Sequence, residues 1–223
     1  MNGGLPVVHA AAAHSAKTLM VFLPGAYMRP QHFFDAGFDV AVAERGLGLD
    51  LAFPDIDVAR FANADGVARL RGEILGPARA AGYQQLWLGG ISLGGFLALA
   101  VAADHGDEID GLCLIAPYPG SAITLAAIDA AGGPAQWEPA EEQLADAEFR
   151  IWDWLRTPRA RPKICFGYGR HDRFAPRMAR LAAVRADLIP VLVDGDHDWP
   201  VWRAIWEQFL DSGRIVEPSR RPA

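Results

Sequence analysis

The chain has few cysteines and no excess of positive charge. Its two cysteines, Cys113 and Cys165, lie inside apolar runs and show no metal-ligand spacing. The sequence therefore predicts two buried thiols in neighbouring strands rather than a disulfide. The formal net charge is −6. Without a basic surface to neutralise phosphates, we expect no nucleic-acid partner.

Long hydrophobic runs are also missing. The apolar stretches are interrupted by Gly, Pro or a charge well before about 18 residues, which is near the length of a membrane span. Residues 1–17 lack the positively charged start of a secretory signal. We therefore expect a cytoplasmic protein that does not act at a membrane, and the sequence leaves its oligomeric state open.

The overall composition is that of a globular protein. Hydrophobic residues make up 51% and charged residues 22% of the 223 positions. A chain of this length can bury roughly 70% of the surface that it exposes when unfolded. No repeat, low-complexity segment or linker marks a second domain, so we expect a single domain over residues 1–223.

Strand-like and helix-like segments alternate along the chain. This order is typical of parallel strands joined by crossover helices. The strand-like runs are too apolar to alternate cleanly, as expected for a sheet covered by helices on both faces. The pattern predicts an α/β fold with a doubly wound, mostly parallel sheet. The predicted strands are 18–24, 48–54, 85–91, 111–117, 163–169 and 189–195, with a further short strand at 5–9, and the predicted helices are 30–45, 59–81, 93–104, 176–186 and 199–211.

One connection is longer than the others and spans residues 118–162. Its second half has Leu144, Ile151 and Leu155 at helical spacing, which gives an apolar stripe opposite a row of acids. Two interpretations stay open for this segment. It is either a small helical lid or an ordinary helix that covers the sheet.

The strongest chemical signal is G-x-S-x-G at residues 90–94, where a strand-like run meets a helix of small residues. A serine in such a tight turn has strained backbone angles, and side chains two positions before and after it would collide, so Gly90 and Gly94 are needed. The turn would expose the Ser92 hydroxyl at the carboxyl edge of the sheet. The alternative for Ser92 is a small residue that eases packing between helix and sheet.

These residues resemble the nucleophile turn of the α/β-hydrolase superfamily, and the resemblance covers about residues 18–211. That family places an acid after a later strand and a histidine after the last strand. The resemblance therefore implies Asp172, in KICFGYGRHDRFAP, as the acid and His197, in VLVDGDHDWPVW, as the base. The alternative for Asp172 is a solvated carboxylate or an ion-pair partner of Arg170 or Arg173. The alternative for His197 is a surface histidine among acidic neighbours.

The family also implies two backbone N–H donors that stabilise an oxyanion. Where the family commonly has a His-Gly pair, this chain has Pro24 and Gly25. By position, Ala26 supplies one donor, with Tyr27 as a substitute, and Leu93 supplies the other. The alternative for this loop is a glycine turn with Tyr27 as a packed aromatic.

The resemblance implies a serine hydrolase that acts on a small-molecule ester or thioester through an acyl-enzyme on Ser92, without a metal or cofactor. Aromatic residues near the site suggest a hydrophobic substrate pocket, or else they belong to the core beneath the loops. They are Tyr27, Tyr118, Trp199 and Trp202. No cluster of Lys or Arg is clearly placed to bind the phosphates of coenzyme A, which favours a small carboxyl ester.

Other functions remain open on the same fold. Acyl transfer and lyase chemistry are supported by the same superfamily, because a fold does not determine a reaction. A non-catalytic binding protein is a further alternative, suggested by the departure at Pro24. A nucleotide-binding fold is disfavoured, because the first strand-to-helix turn, LPGAYMRP, lacks G-x-G-x-x-G and any phosphate loop.

Overall fold

The computed structural model describes residues 4–157, 162–185 and 187–216. Seven strands form one sheet in the order β1-β3-β2-β4-β5-β6-β7, in which β1 pairs antiparallel with β3 and all other neighbours are parallel. The mostly parallel sheet predicted from the sequence is confirmed. The strands are β1 (Val7–Ala10), β2 (Thr18–Leu23), β3 (Leu49–Pro54), β4 (Gln85–Ile91), β5 (Gly111–Ile115), β6 (Lys163–Gly169) and β7 (Val191–Val193).

Two strands are shorter than their apolar runs suggest. Strand β5 ends at Ile115 because Ala116 has a φ of 44°, which turns the chain out of the sheet. Strand β7 begins only at Val191, directly after Pro190, which has no N–H to donate to a neighbour. It ends before Gly195, whose φ is 132°.

In the described ranges, ten α-helices connect or flank the strands. They are α1 (Pro30–Asp35), α2 (Phe38–Glu44), α3 (Val58–Phe61), α4 (Ala64–Leu70), α5 (Gly76–Ala80), α6 (Leu93–His105), α7 (Ala122–Ala130), α8 (Ala147–Arg156), α9 (Ala175–Ala183) and α10 (Trp199–Asp211). Short 3-10 turns lie at Gly106–Glu108 and Gln143–Ala145, and a π-helical turn lies at Arg71–Leu75.

Two predicted helices are broken in the structure. The helix expected over 30–45 divides at Gly37, whose φ of 72° is left-handed and incompatible with a continuous helix. The helix expected over 59–81 is interrupted at Asn63, whose side chain accepts a hydrogen bond from Gly66 N at 2.9 Å and starts a new helix. The last residue of the helix expected over 176–186 lies outside the described residues.

Helices cover the sheet in two groups. Helix α6 packs against β2, β4 and β5, and α8 packs against α6. Helix α10 packs against β5, β6, β7 and α2. Strand β5 contacts both groups, so it lies between two helical layers, and all of its residues are buried. The aromatic side chains of Phe22, Phe38 and Trp206 meet beneath α10, where the Phe38 and Trp206 rings stack at 5.7 Å.

The long connection forms α7 and α8, with residues 158–161 outside the described part. Trp152, Trp154 and Leu155 of α8 are buried, and Arg150 pairs with Asp104 of α6 at 2.9 Å. Helix α8 is thus a covering helix on α6. Movement of the segment as a lid stays a prediction.

Cys113 and Cys165 are partners across the β5–β6 pair, and both are free thiols with less than 2% exposure. The prediction of two buried thiols in neighbouring strands is confirmed. Burial raises the pKa of Cys165 to about 11 and raises that of Cys113 well above its ordinary value.

Candidate active site

Ser92 occupies the turn between β4 and α6. Its φ of 53° and ψ of −116° lie outside the regions that residues with a Cβ normally adopt. Its N–H donates to Ile115 O at 3.1 Å, and its carbonyl accepts from Tyr118 N at 2.8 Å. The turn is therefore bound to the end of β5, and these hydrogen bonds keep the strained residue in place.

The two glycines of the motif are required by close backbone approach. A Cβ on Gly90 would overlap the backbone of Gly94 and lie 2.5 Å from Gly95 N. A Cβ on Gly94 would lie 2.6 Å from Pro24 O, at the end of β2. The steric reason given for these glycines in the sequence analysis is thus present in the structure. The same close packing brings the loop after β2 beside the Ser92 turn.

Backbone strain is concentrated at this edge of the sheet. Among the described residues, the non-glycine positions with a positive φ are Tyr27, Ser92 and Ala116. They follow β2, β4 and β5, which are adjacent parallel strands, so all three lie at the carboxyl edge. Strained residues of this kind cluster at functional sites in many proteins.

Asp172 and His197 form a hydrogen-bonded pair at the same edge. His197 Nδ1 lies 2.5 Å from Asp172 Oδ2, and Asp172 Oδ1 accepts from Phe174 N at 2.8 Å. The Asp172 side chain is fully buried, whereas that of His197 is 19% exposed. Asp172 is therefore neither a solvated carboxylate nor an ion-pair partner of Arg170 or Arg173. A carboxylate in this position holds the imidazole in one tautomer and orientation.

The loops that carry this pair are joined by backbone contacts. Arg170 N donates to Val193 O at 2.8 Å, and His171 N donates to Gly195 O at 2.9 Å. A Cβ on Gly169 would lie 2.5 Å from Asp196 O, so the loops after β6 and β7 touch. His171 itself is exposed and pairs with Asp194 at 2.9 Å, which leaves His197 as the histidine held by a buried acid.

Ser92 and His197 are linked through two aromatic side chains. Tyr118, which binds the Ser92 carbonyl, has its ring 6.0 Å from the Phe174 ring, and Phe174 lies 5.8 Å from the His197 ring. Within the described part of the chain, no hydrogen bond of 3.5 Å or less joins the Ser92 and His197 side chains. The hydroxyl and the imidazole thus lie at the same edge of the sheet without a direct hydrogen bond.

The expected N–H donors lie on either side of Ser92. Leu93 is the first residue of α6, and Ala26 is half-buried in the loop after β2. As far as the structure describes the chain, neither N–H has a hydrogen-bond acceptor in the protein. A Cβ on Gly25 would lie 3.2 Å from Ile91 O, so this loop contacts the residue before Ser92. Two unpaired N–H groups next to a serine can donate hydrogen bonds to an oxygen on which negative charge develops.

Comparison with known proteins identifies the architecture. No family model matches the sequence, and no curated protein matches it. Solved structures do match. The fluorophosphonate-binding serine hydrolase FphF of Staphylococcus aureus superposes with a TM-score of 0.65 at 14% identity, covering 94% of this chain and 98% of that one.

Two further structures agree with this match. An S-formylglutathione hydrolase from Agrobacterium tumefaciens gives a TM-score of 0.62 at 14% identity, over 92% of this chain and 86% of its own. A ferulic acid esterase gives 0.62 at 13% identity, over 94% and 97%. The chain has the α/β-hydrolase fold.

On this α/β-hydrolase fold, three of the four aromatic residues expected near the site have different surroundings. Tyr27 is fully exposed, so it is not the packed aromatic of the alternative interpretation. Tyr118 is half-buried between Phe96 and Phe174. Trp199 is half-buried against the rings of the core cluster; its ring neighbours are His32, Phe33, Phe38 and Trp202.

Trp202 and Phe174 form the immediate surroundings of His197. Trp202 is only 5% exposed, so it belongs to the core rather than the rim, and its ring meets that of His197 edge to face at 5.1 Å. Phe174 was not identified from the sequence as a site residue. Its position two residues after Asp172 was a usable signal, because Asp side chains often accept from the N–H two residues on.

Across the described ranges, no group of three His, Cys, Asp or Glu side chains is arranged to hold a metal ion. Nor does any helix in those ranges combine the length and apolar character needed to cross a membrane.

Proposed function

We propose that this protein is a serine hydrolase that cleaves a carboxyl ester or thioester of a small molecule through an acyl-enzyme on Ser92. The observation that carries the proposal is the buried Asp172–His197 pair, joined at 2.5 Å, at the sheet edge where the strained Ser92 turn lies. The names of similar structures, which include a serine hydrolase, an S-formylglutathione hydrolase and a ferulic acid esterase, support the same reaction class.

In the first half-reaction, His197 Nε2 accepts the proton of Ser92 as Oγ bonds to the substrate carbonyl carbon. The carbonyl π electrons move to oxygen, and this oxyanion accepts hydrogen bonds from the N–H groups of Ala26 and Leu93. When the tetrahedral intermediate collapses, the bond to the leaving alcohol or thiol breaks. His197 gives its proton to that leaving group, and the acyl group stays on Ser92.

In the second half-reaction, His197 takes a proton from a water molecule that attacks the acyl carbon. The bond between the carbonyl carbon and Ser92 Oγ then breaks, Oγ regains a proton from His197, and the free acid leaves. The protons balance over the cycle. The chemistry is complete with these side chains, water and substrate.

Asp172 acts through His197. Its buried carboxylate stabilises the imidazolium formed in each step and keeps Nδ1 protonated, so that Nε2 faces the reacting serine. The carboxylate is restrained by Phe174 N, which leaves Oδ2 for the histidine. Contact between His197 and Ser92 is expected on substrate binding, because catalytic hydrogen bonds are often long in unliganded sites.

The test measures hydrolysis of p-nitrophenyl esters from acetate to palmitate by the wild type, Ser92→Ala and Ser15→Ala. Ser15 is exposed and distant in sequence from the site, so it is a matched serine-to-alanine control. We expect kcat to fall by about four to six orders of magnitude in Ser92→Ala and to stay unchanged in Ser15→Ala. The dependence of kcat/KM on acyl length then gives the size of the pocket.

A second readout detects the nucleophile directly. A fluorophosphonate should label wild type once, at the peptide containing Ser92, and should leave Ser92→Ala unlabelled. Equal ester turnover by wild type and a folded Ser92→Ala would overturn the proposal, as would labelling at another residue. Transfer of the acyl group to an added alcohol, without release of acid, would indicate the acyltransferase alternative.

A further inference from the structure

Among the described residues, not every arginine forms an ion pair with a carboxylate. Over the described residues, most arginines have a carboxylate oxygen within 4.0 Å, and four do not. These four are Arg170, Arg173, Arg177 and Arg214. The first three lie within eight consecutive residues that also contain Asp172, so unpaired positive charge collects beside the candidate active site.

Arg177 lies in a position that is unfavourable for a positive charge without an anionic partner. It lies in the first turn of α9, where the positive end of the helix dipole repels a guanidinium. It is half-buried, whereas an arginine without a role would be expected in full solvent. Such a residue is better explained by an anion that is not part of the protein.

Arg177 lies near enough to Tyr118 for its charge to act on the phenol. Burial raises the pKa of Tyr118, the charge of Glu148 adds to the rise, and the charge of Arg177 opposes it. Arg180, three residues later, is instead paired with Asp129 near the end of α7.

Arg173 extends the positive surface to the ring that contacts the histidine. Its guanidinium carbon lies 4.7 Å from the centre of the Phe174 ring, which in turn is 5.8 Å from His197 and 6.0 Å from Tyr118. Arg173 thus places a guanidinium group against the aromatic ring that contacts His197.

Glu148, whose charge also acts on Tyr118, does not neutralise Arg177 directly. The Glu148 carboxylate accepts hydrogen bonds from Ser121 N at 2.8 Å and from Thr124 Oγ1 at 2.5 Å. It forms no ion pair with Arg177 within 4.0 Å. Glu148 is therefore committed to the start of α7, and the guanidinium of Arg177 keeps its donors for a ligand.

We propose that the substrate carries an anionic group, a carboxylate or a phosphate, that Arg177 binds together with Arg173 beside Phe174 and Tyr118. This inference rests on the proposed hydrolase function and specifies its substrate class. A guanidinium presents several N–H donors in a plane and binds the oxygens of either anion well. The anionic group lies at the end of the substrate away from the scissile bond, beyond Phe174 and Tyr118.

The test compares matched p-nitrophenyl esters that differ only in terminal charge. One is the half-ester of adipic acid, the second has a primary amide in place of the free carboxylate, and the third has a terminal phosphate. We expect the wild type to prefer one or both anionic esters over the amide by about tenfold in kcat/KM. Preference for the carboxylate alone or the phosphate alone then distinguishes the two kinds of substrate.

Two variants assign the preference to the site. Arg177→Gln should reduce the ratio of anionic to amide ester to near one. Arg214→Gln removes an equally unpaired arginine, one whose charge is felt by Cys165 in β6 rather than by Tyr118, so it should keep the wild-type ratio. An unchanged ratio in Arg177→Gln, or an equal fall in both variants, would overturn the proposal.

The outcome also separates this inference from the hydrolase function. Hydrolysis of all three esters at equal rates would overturn the anion site and leave the hydrolase intact. If no ester is cleaved, calorimetric titration of wild type and Arg177→Gln with the adipate half-ester and the amide still measures the anion site. About tenfold tighter binding of the half-ester, lost in Arg177→Gln, would support it, whereas equal binding would overturn it.

Discussion

His197 Nδ1 lies 2.5 Å from Asp172 Oδ2, while the other oxygen of the same buried carboxylate is occupied by Phe174 N. The remaining carboxylate oxygen, Oδ2, is therefore the one that contacts the histidine. This relationship joins two loops that are 25 residues apart in the sequence. It also predicts a loss of activity when one carboxylate oxygen of Asp172 is replaced by an amide group.

Replacing Asp172 with Asn should reduce kcat by about 10⁴-fold, because the amide N–H₂ donates to Nδ1 and favours the wrong tautomer of His197. The measurement is ester turnover by folded variant protein. Asp194→Asn is the control, since Asp194 pairs with the exposed His171, and its turnover should stay within about twofold of wild type. Equal losses in the two variants would show that Asp172 has no special role.

The strained backbone of Ser92 predicts a gain in stability when activity is removed. Ser92→Gly relieves a φ of 53° that costs about 1 to 3 kcal/mol, against about 0.5 to 1 kcal/mol of added chain entropy in the unfolded state. We expect a net increase of about 1 kcal/mol in the free energy of unfolding. Ser92→Ala keeps the Cβ and therefore the strain. Chemical denaturation of both should show Ser92→Gly as the more stable variant, and the opposite order would contradict the interpretation.

The close approach at Gly94 predicts a loss of stability on adding a single methyl group. Gly94→Ala places a Cβ 2.6 Å from Pro24 O, against backbone that cannot move without disturbing β2. We expect a cost of about 2 to 4 kcal/mol in thermal or urea unfolding. Gly48→Ala is the control because a Cβ there has no neighbour within 4 Å. Its stability should change by less than about 1 kcal/mol.

The parts of the site that could be predicted from the sequence are those imposed by local geometry and strand order. The glycines around Ser92 follow from the steric demands of a tight turn, and parallel strands bring the residues after β4, β6 and β7 to one edge. The N-cap of α10 is equally local: Asp198, directly before the helix, accepts a hydrogen bond from Val201 N at 3.3 Å.

Tertiary contacts decide the rest. Gly37 divides a segment whose periodicity suggested one helix, because its left-handed φ lets α1 and α2 turn against each other. The roles of Phe174 and Arg177 depend on which side chains surround them in the folded protein. The hydrophobic periodicity of the sequence carries no such information. The sequence left Trp202 open between a pocket aromatic and a core residue, and packing against His197 buries it.

The neighbouring free thiols of β5 and β6 predict how the stability of the protein depends on pH. In the folded protein, burial raises the pKa of Cys165 to about 11 and raises that of Cys113 well above its ordinary value. The neutral thiols are thus favoured in the native state, whereas the unfolded chain releases their protons near the ordinary cysteine pKa. Stability contributed by burying the neutral thiols is complete below the unfolded pKa and is lost as pH rises through the folded values.

The free energy of unfolding should therefore fall between about pH 9 and pH 11, and the fall should be smaller when both cysteines are replaced by alanine. Urea unfolding of wild type and of Cys113→Ala/Cys165→Ala across this range isolates the thiols, because Tyr83, whose pKa is about 12, is common to both. A thiol reagent at pH 8 should leave the native protein unmodified and should modify both cysteines in urea. Rapid native modification, or parallel pH profiles for the two proteins, would show that the thiols are not sealed between β5 and β6.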